Sequence, residues 1–173
     1  MAYILTAQLR DEAAGDGAFA RYRAYIASVR DQLPTGAYAL ASSGWYFDTS
    51  DHRAPHDAWL EAATVAEVPP ADREQRRVTA ITIRLLGAYH DGWLEFHYWD
   101  VSRYRLELRA EAPDRGRGHR DWRYDEFRLA PGGRVEHEIE WWGAGPTATW
   151  LIEAADVEHR WLPRGGRDLA PGV

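Results

Sequence analysis

Two runs of residues flank the dipeptide Asp91-Gly92, and together they restrict what this chain can fold into. Residues 78–86 alternate β-branched and long apolar side chains, and residues 93–99 repeat the alternation. A period of two places one set of side chains on each face of a strand, and an Asp-Gly dipeptide between such runs favours a tight hairpin. The chain is therefore built around an antiparallel sheet.

The rest of the sequence extends that sheet, with one exception near the start. Across residues 16–33, Phe19, Tyr22, Ile26, Val29 and Leu33 recur at spacings of three and four, the stripe of an amphipathic helix that stops at Pro34. Residues 38–41 and 45–47 read as short strands and 57–65 as a longer one, while 68–75, with Pro69-Pro70 and a charge cluster, reads as an exposed loop. Residues 101–110 alternate again, with Tyr104, Leu106 and Leu108 on the side expected to face the core. Residues 121–129, 134–142 and 147–153 form a three-stranded meander broken at Pro131-Gly132-Gly133 and at 143–146. The expectation is an α+β fold, mostly β: an antiparallel meander sheet, either a sandwich or a partly open barrel, with one N-terminal amphipathic helix packed on it. Residues 1–162 are expected to form a single β-rich domain and 163–173 a loose C-terminal tail.

Composition excludes several kinds of chemistry. Cysteine is absent, which removes disulfides, thiolate metal sites and cysteine nucleophiles; all 21 basic residues are arginine, which removes a lysine Schiff base. A net charge of -6 opposes general affinity for nucleic acid or anionic lipid. No apolar run approaches the roughly 18 residues of a spanning helix, so the expectation is a cytoplasmic protein with no membrane partner. Nine Trp, nine Tyr and four Phe must mostly be buried.

No Gly-x-Ser-x-Gly elbow or nucleotide-binding loop occurs, and no catalytic residue can be named. The leading expectation is a non-enzymatic binding module without a cofactor, engaging a protein partner through an acidic, tryptophan-bearing sheet surface made of Trp93, Trp99, Trp141, Trp142, Glu138 and Glu140. A competing expectation is a metal-dependent or carboxylate enzyme acting on a small polar substrate, with His90, Asp91, Glu95, His97 and His137 around a divalent transition metal. Several of these residues fit equally well as the solvated face of an antiparallel sheet. Exposed rings would also suit a carbohydrate-binding module. Arg115, Arg117, Arg120 and Arg123 could cradle a phosphate, but Asp114, Asp121, Asp125 and Glu126 balance them, so an internally paired surface loop is expected there.

The run His-Asp-Ala-Trp-Leu-Glu at 56–61, followed by Thr-Ile-Arg-Leu-Leu-Gly-Ala-Tyr-His-Asp-Gly-Trp-Leu-Glu-Phe at 82–96, resembles small bacterial β-rich proteins, some of them immunity proteins of toxin systems. The resemblance spans about a third of the chain (residues 56–108) and implies a β-rich intracellular partner-binder. It carries over no catalytic residues.

Overall fold

A computed structural model describes residues 4–5, 17–69, 77–109 and 116–165. Among these residues, helices α1 (Gly17–Ser28) and α2 (Thr35–Ala41) precede eight strands: β1 (Trp59–Val68), β2 (Val78–Leu86), β3 (Gly92–Trp99), β4 (Arg103–Arg105), β5 (Asp121–Ala130), β6 (Arg134–Trp142), β7 (Pro146–Ala154) and β8 (Asp156–Pro163). The strands form one antiparallel sheet in the order β4-β7-β6-β5-β1-β2-β3-β8. The fold is α+β and mostly β, and no helix among the described residues is long and apolar enough to cross a membrane.

The sheet curls onto itself because its inward-facing side chains are large and need cover. Ile81, Ile83 and Leu85 of β2, Leu94, Phe96 and Tyr98 of β3, and Val135, His137, Ile139 and Trp141 of β6 are each fully buried. Three strands lie between β3 and β6 in the sheet order, yet Tyr98 reaches His137 and the Phe96 ring stacks on Trp122 of β5 at 5.2 Å. Only Ala155 separates β7 from β8, so one bent run of chain serves both ends of the sheet.

Strands β1 and β5 pair at a single position, Trp59 with Asp121. Further along β5, helix α1 takes the place of a neighbouring strand. The Tyr22 hydroxyl donates to the Phe127 carbonyl and accepts from the Phe127 amide, and the Tyr25 hydroxyl accepts from the Leu129 amide at 2.8 Å. Backbone groups that an open edge would leave bare are satisfied in this way. On the outer side of β5, Glu126 accepts the amides of Ile4 and Leu5 and pairs with Arg128, which also holds Glu136 and Glu138.

Several expectations need correction. The first helix ends at Ser28, although Val29 and Leu33 remain buried in the turn beyond it. Residues 35–41 form a helix and not a strand: Ala37, Leu40 and Ala41 recur at helical spacing and all three are buried. The Asp156 carboxylate at the start of β8 accepts the Gly36 and Ala37 amides, each at 3.0 Å, and so supplies a cap from a distant part of the chain. The hairpin turn spans residues 87–91, with the left-handed backbone at His90 (φ 57°); Gly92 lies inside β3, where a Cβ would sit 2.4 Å from the Trp161 ring. Among the described residues 101–109 only the three-residue β4 forms, and Tyr104 and Leu108 are exposed, each at 49%. Strand β8 is an addition to the expected sheet. Most of the loop at 68–75 and most of the C-terminal tail lie outside the described residues.

Candidate functional site

The position of His137 follows from the β6 pattern: it occupies a core position between Val135 and Ile139, where an imidazole must find partners or carry a desolvation penalty. Its Nε2 meets Asp125 Oδ2 at 2.8 Å and its Nδ1 meets the Tyr98 hydroxyl at 2.7 Å. Asp125 also accepts the Tyr46 hydroxyl at Oδ2 (2.8 Å) and the Trp122 indole N–H at Oδ1 (2.9 Å). Four of these five side chains come from β3, β5 and β6, and Tyr46 comes from the loop after α2. All are almost completely buried.

The β5 backbone sets this arrangement. A register irregularity between Trp122 and Tyr124 shifts the phase of the strand, so that Trp122, Asp125 and Phe127 all face inward although a regular strand would alternate them differently. Both tyrosine hydroxyls are held in the protonated form: burial raises each pKa well above its ordinary value, and the Asp125 charge raises it further. Tyr46 is therefore a donor to Asp125. With an ionised carboxylate, His137 must donate from Nε2, which leaves Nδ1 to accept from Tyr98. Oδ2 then uses both of its lone pairs and Oδ1 one of two, so Asp125 keeps a single acceptor position.

A cavity of about 140 Å³ opens beside this cluster. Asp125, Tyr46 and Trp122 line it together with Phe19, Phe47 and Tyr124, and the Phe47 ring lies edge-on to Tyr46 and Phe19 at 5.0 and 5.5 Å. Thr49, His56 and Arg123 stand at its rim. Arg123 lies over the Tyr124 ring at 5.3 Å and 3.8 Å from Asp57. Burial lowers the His56 pKa against the opposing pull of Asp57.

The residues expected to ligate a metal fall in three places. His90 and Asp91 sit in the β2–β3 turn, where Asp91 bonds His52 at 2.5 Å and the His90 ring packs on Trp59. Glu95 and His97 lie on the outer face of β3, bonded to each other at 3.1 Å and to Arg84 and Thr82 respectively. His137 is inside. No group of three or more His, Asp or Glu able to hold a metal ion occurs among the described residues.

The expected partner-binding surface is likewise divided. Trp141 is fully buried against Trp122 and Trp150. Glu138 pairs with Arg128, while Glu140 and Trp142 lie half-buried on the outer face of β6. Trp93 is half-buried beneath Arg84 and Arg164, and Trp99 is exposed at 48% at the end of β3. Sequence reasoning missed Tyr46, Tyr98, Trp122 and Asp125. Tyr98 and His137 were marked by their core-phase positions in alternating strands, but nothing local indicates the phase shift that turns Asp125 inward.

Comparison with protein-family models, curated proteins and solved structures gives no match.

Proposed function

We propose that this protein binds a small molecule in the aromatic cavity beside Asp125, and that the ligand is a compact hydrogen-bond donor of about one ring in size, an amine above all. The observation supporting this reading is the pairing of aromatic walls with one buried carboxylate whose remaining capacity is to accept. An apolar cavity of about 150 Å³ accommodates a benzene-sized molecule, which sets the scale for 140 Å³. Aromatic faces attract a cation through their quadrupoles, and Asp125 would take the ammonium hydrogen. The preorganised Tyr46–Asp125–His137–Tyr98 chain fixes the acceptor before the ligand arrives, as a specific polar contact in an apolar pocket requires. In this reading the chain is a binding module whose occupant is a small molecule and not a protein.

The test is a thermal-shift panel of single-ring amines and their neutral, non-donating isosteres, run on the wild type and on Thr49→Phe, which fills the exposed rim without touching the cluster. A saturable rise in Tm for amines, absent with the isosteres and lost in Thr49→Phe, supports the proposal. Equal shifts for amines and isosteres, or shifts that survive in Thr49→Phe, refute it.

A further inference from the structure

A second pocket, of about 280 Å³, lies between β1 and the 116–120 loop and is lined by Trp59, Leu60, Arg117, Gly118, His119 and Arg120. On sequence grounds this stretch is charge-balanced, but in the structure each of its described acids is engaged by another group. Asp125 is in the core cluster, Glu126 is bound to Arg128 and the Ile4 and Leu5 amides, and Asp121 accepts the Trp59 indole N–H at 2.8 Å. Arg123 is turned toward Asp57. Arg117 forms no ion pair or hydrogen bond among the described residues, and it projects from an exposed loop position.

The loop backbone adds a second feature. Gly116, Gly118 and Arg120 have φ of 80°, 71° and 67°, while the intervening Arg117 and His119 do not have positive φ. Alternation of backbone handedness turns successive N–H groups toward one side and forms a concavity suited to an anion. Among the described residues, the amides of Arg117, Gly118 and His119 bond to no other group. Trp59, exposed at 48%, supplies a flat ring at the same pocket, with its indole fixed by Asp121 and by the edge of His90 at 4.8 Å.

We propose that this pocket binds a ring-bearing oxyanion, with its ring on Trp59 and its carboxylate or phosphate held by the loop amides and the Arg117 guanidinium. Its volume is about twice that of a benzene-sized cavity, which leaves room for one ring and one anionic group. Guanidinium and backbone N–H groups are the usual donors for such anions, and a tryptophan face accepts any planar ring.

The experiment is calorimetric titration of the full chain with phenyl phosphate, benzoate, inorganic phosphate and phenol. Phenyl phosphate or benzoate is expected to bind at least about fivefold more tightly than either inorganic phosphate or phenol, the smaller end of what an aromatic platform contributes. Whichever of the two binds better identifies the anionic group. Arg117→Ala should weaken the better ligand by about tenfold, with Arg117→Gln intermediate, and Trp59→Leu should reduce it to the level of inorganic phosphate. Thr49→Phe should leave it unchanged, which separates this site from the cavity beside Asp125. Binding no tighter than phenol, or unaltered in Arg117→Ala with the fold intact by circular dichroism, overturns the proposal.

Discussion

Replacing Tyr46 by Phe removes one oxygen from the core and leaves the ring where it was. Tyr46 is 1% exposed and its ring packs against Phe47, Phe96 and Phe127, so the substitution creates almost no cavity. What disappears is the 2.8 Å hydrogen bond to Asp125 Oδ2. Hydrogen bonds to a charged group contribute about 1.5–3 kcal/mol, and this one is made to a carboxylate that is 2% exposed. The expected loss is therefore about 1.5–3 kcal/mol, which for a chain of this size lowers Tm by about 3–12 °C. Calorimetry and urea unfolding should agree, with the urea slope unchanged because the surface exposed on unfolding is the same. Tyr98→Phe alone should behave similarly, since it strands His137 Nδ1, and the double variant should depart from additivity because both bonds belong to one chain. A loss below about 0.5 kcal/mol for Tyr46→Phe, the size of an ordinary surface substitution, would refute the hydrogen-bonded cluster.

Three further outcomes follow from other parts of the fold. His159 has its pKa lowered to about 4, first by burial and then by the nearby charge of Arg53. The unfolded chain takes up this proton near its ordinary value of 6.5 and the folded chain does not, so stability is complete above pH 6.5 and falls as pH drops toward 4. Between pH 7 and 4.5, urea unfolding should show a loss smaller by about 2–3 kcal/mol in His159→Gln than in the wild type; equal losses would contradict this. Arg128→Ala strands Glu126, whose pKa burial already raises, together with the carboxylates of Glu136 and Glu138, and should destabilise by about 3–5 kcal/mol in chemical denaturation. Gly36→Ala places a Cβ 2.0 Å from the Val157 carbonyl, so α2 must move off β8; a loss of about 1–3 kcal/mol is expected, and a neutral effect would mean that α2 does not pack this closely.

The strands were readable where a single alternation covers the whole element. Residues 78–86 and 134–142 each carry an unbroken period of two, and the structure reproduces both bounds. Helix α2 was not readable because Tyr38 and Leu40 alternate as a strand would, and the carboxylate that caps the helix lies about 120 residues away at Asp156. In the site, His137 is named as a candidate metal ligand, and the alternation of β6 puts it in a core phase. Asp125 was not readable, because its inward direction depends on an irregular register between β5 and β6, which local sequence does not encode. The metal grouping does not assemble among the described residues for a related reason: residues that look alike along the chain fall on opposite faces, as Glu95 and His97 on the outside of β3 and His137 inside β6 illustrate.

The indole N–H of Trp122 donates to Asp125 Oδ1 at the edge of the cavity, so its proton and nitrogen resonances report directly on what Asp125 accepts. Two-dimensional NMR of the nine indole N–H groups during titration with a single-ring amine is therefore the most direct measurement. A small-molecule site beside Asp125 predicts a saturable shift of the Trp122 signal, with Trp93 and Trp99, which do not line the cavity, unmoved. A Trp122 signal that stays fixed while the amine reaches about 10 mM, weaker than any specific pocket of this kind should require, would contradict it.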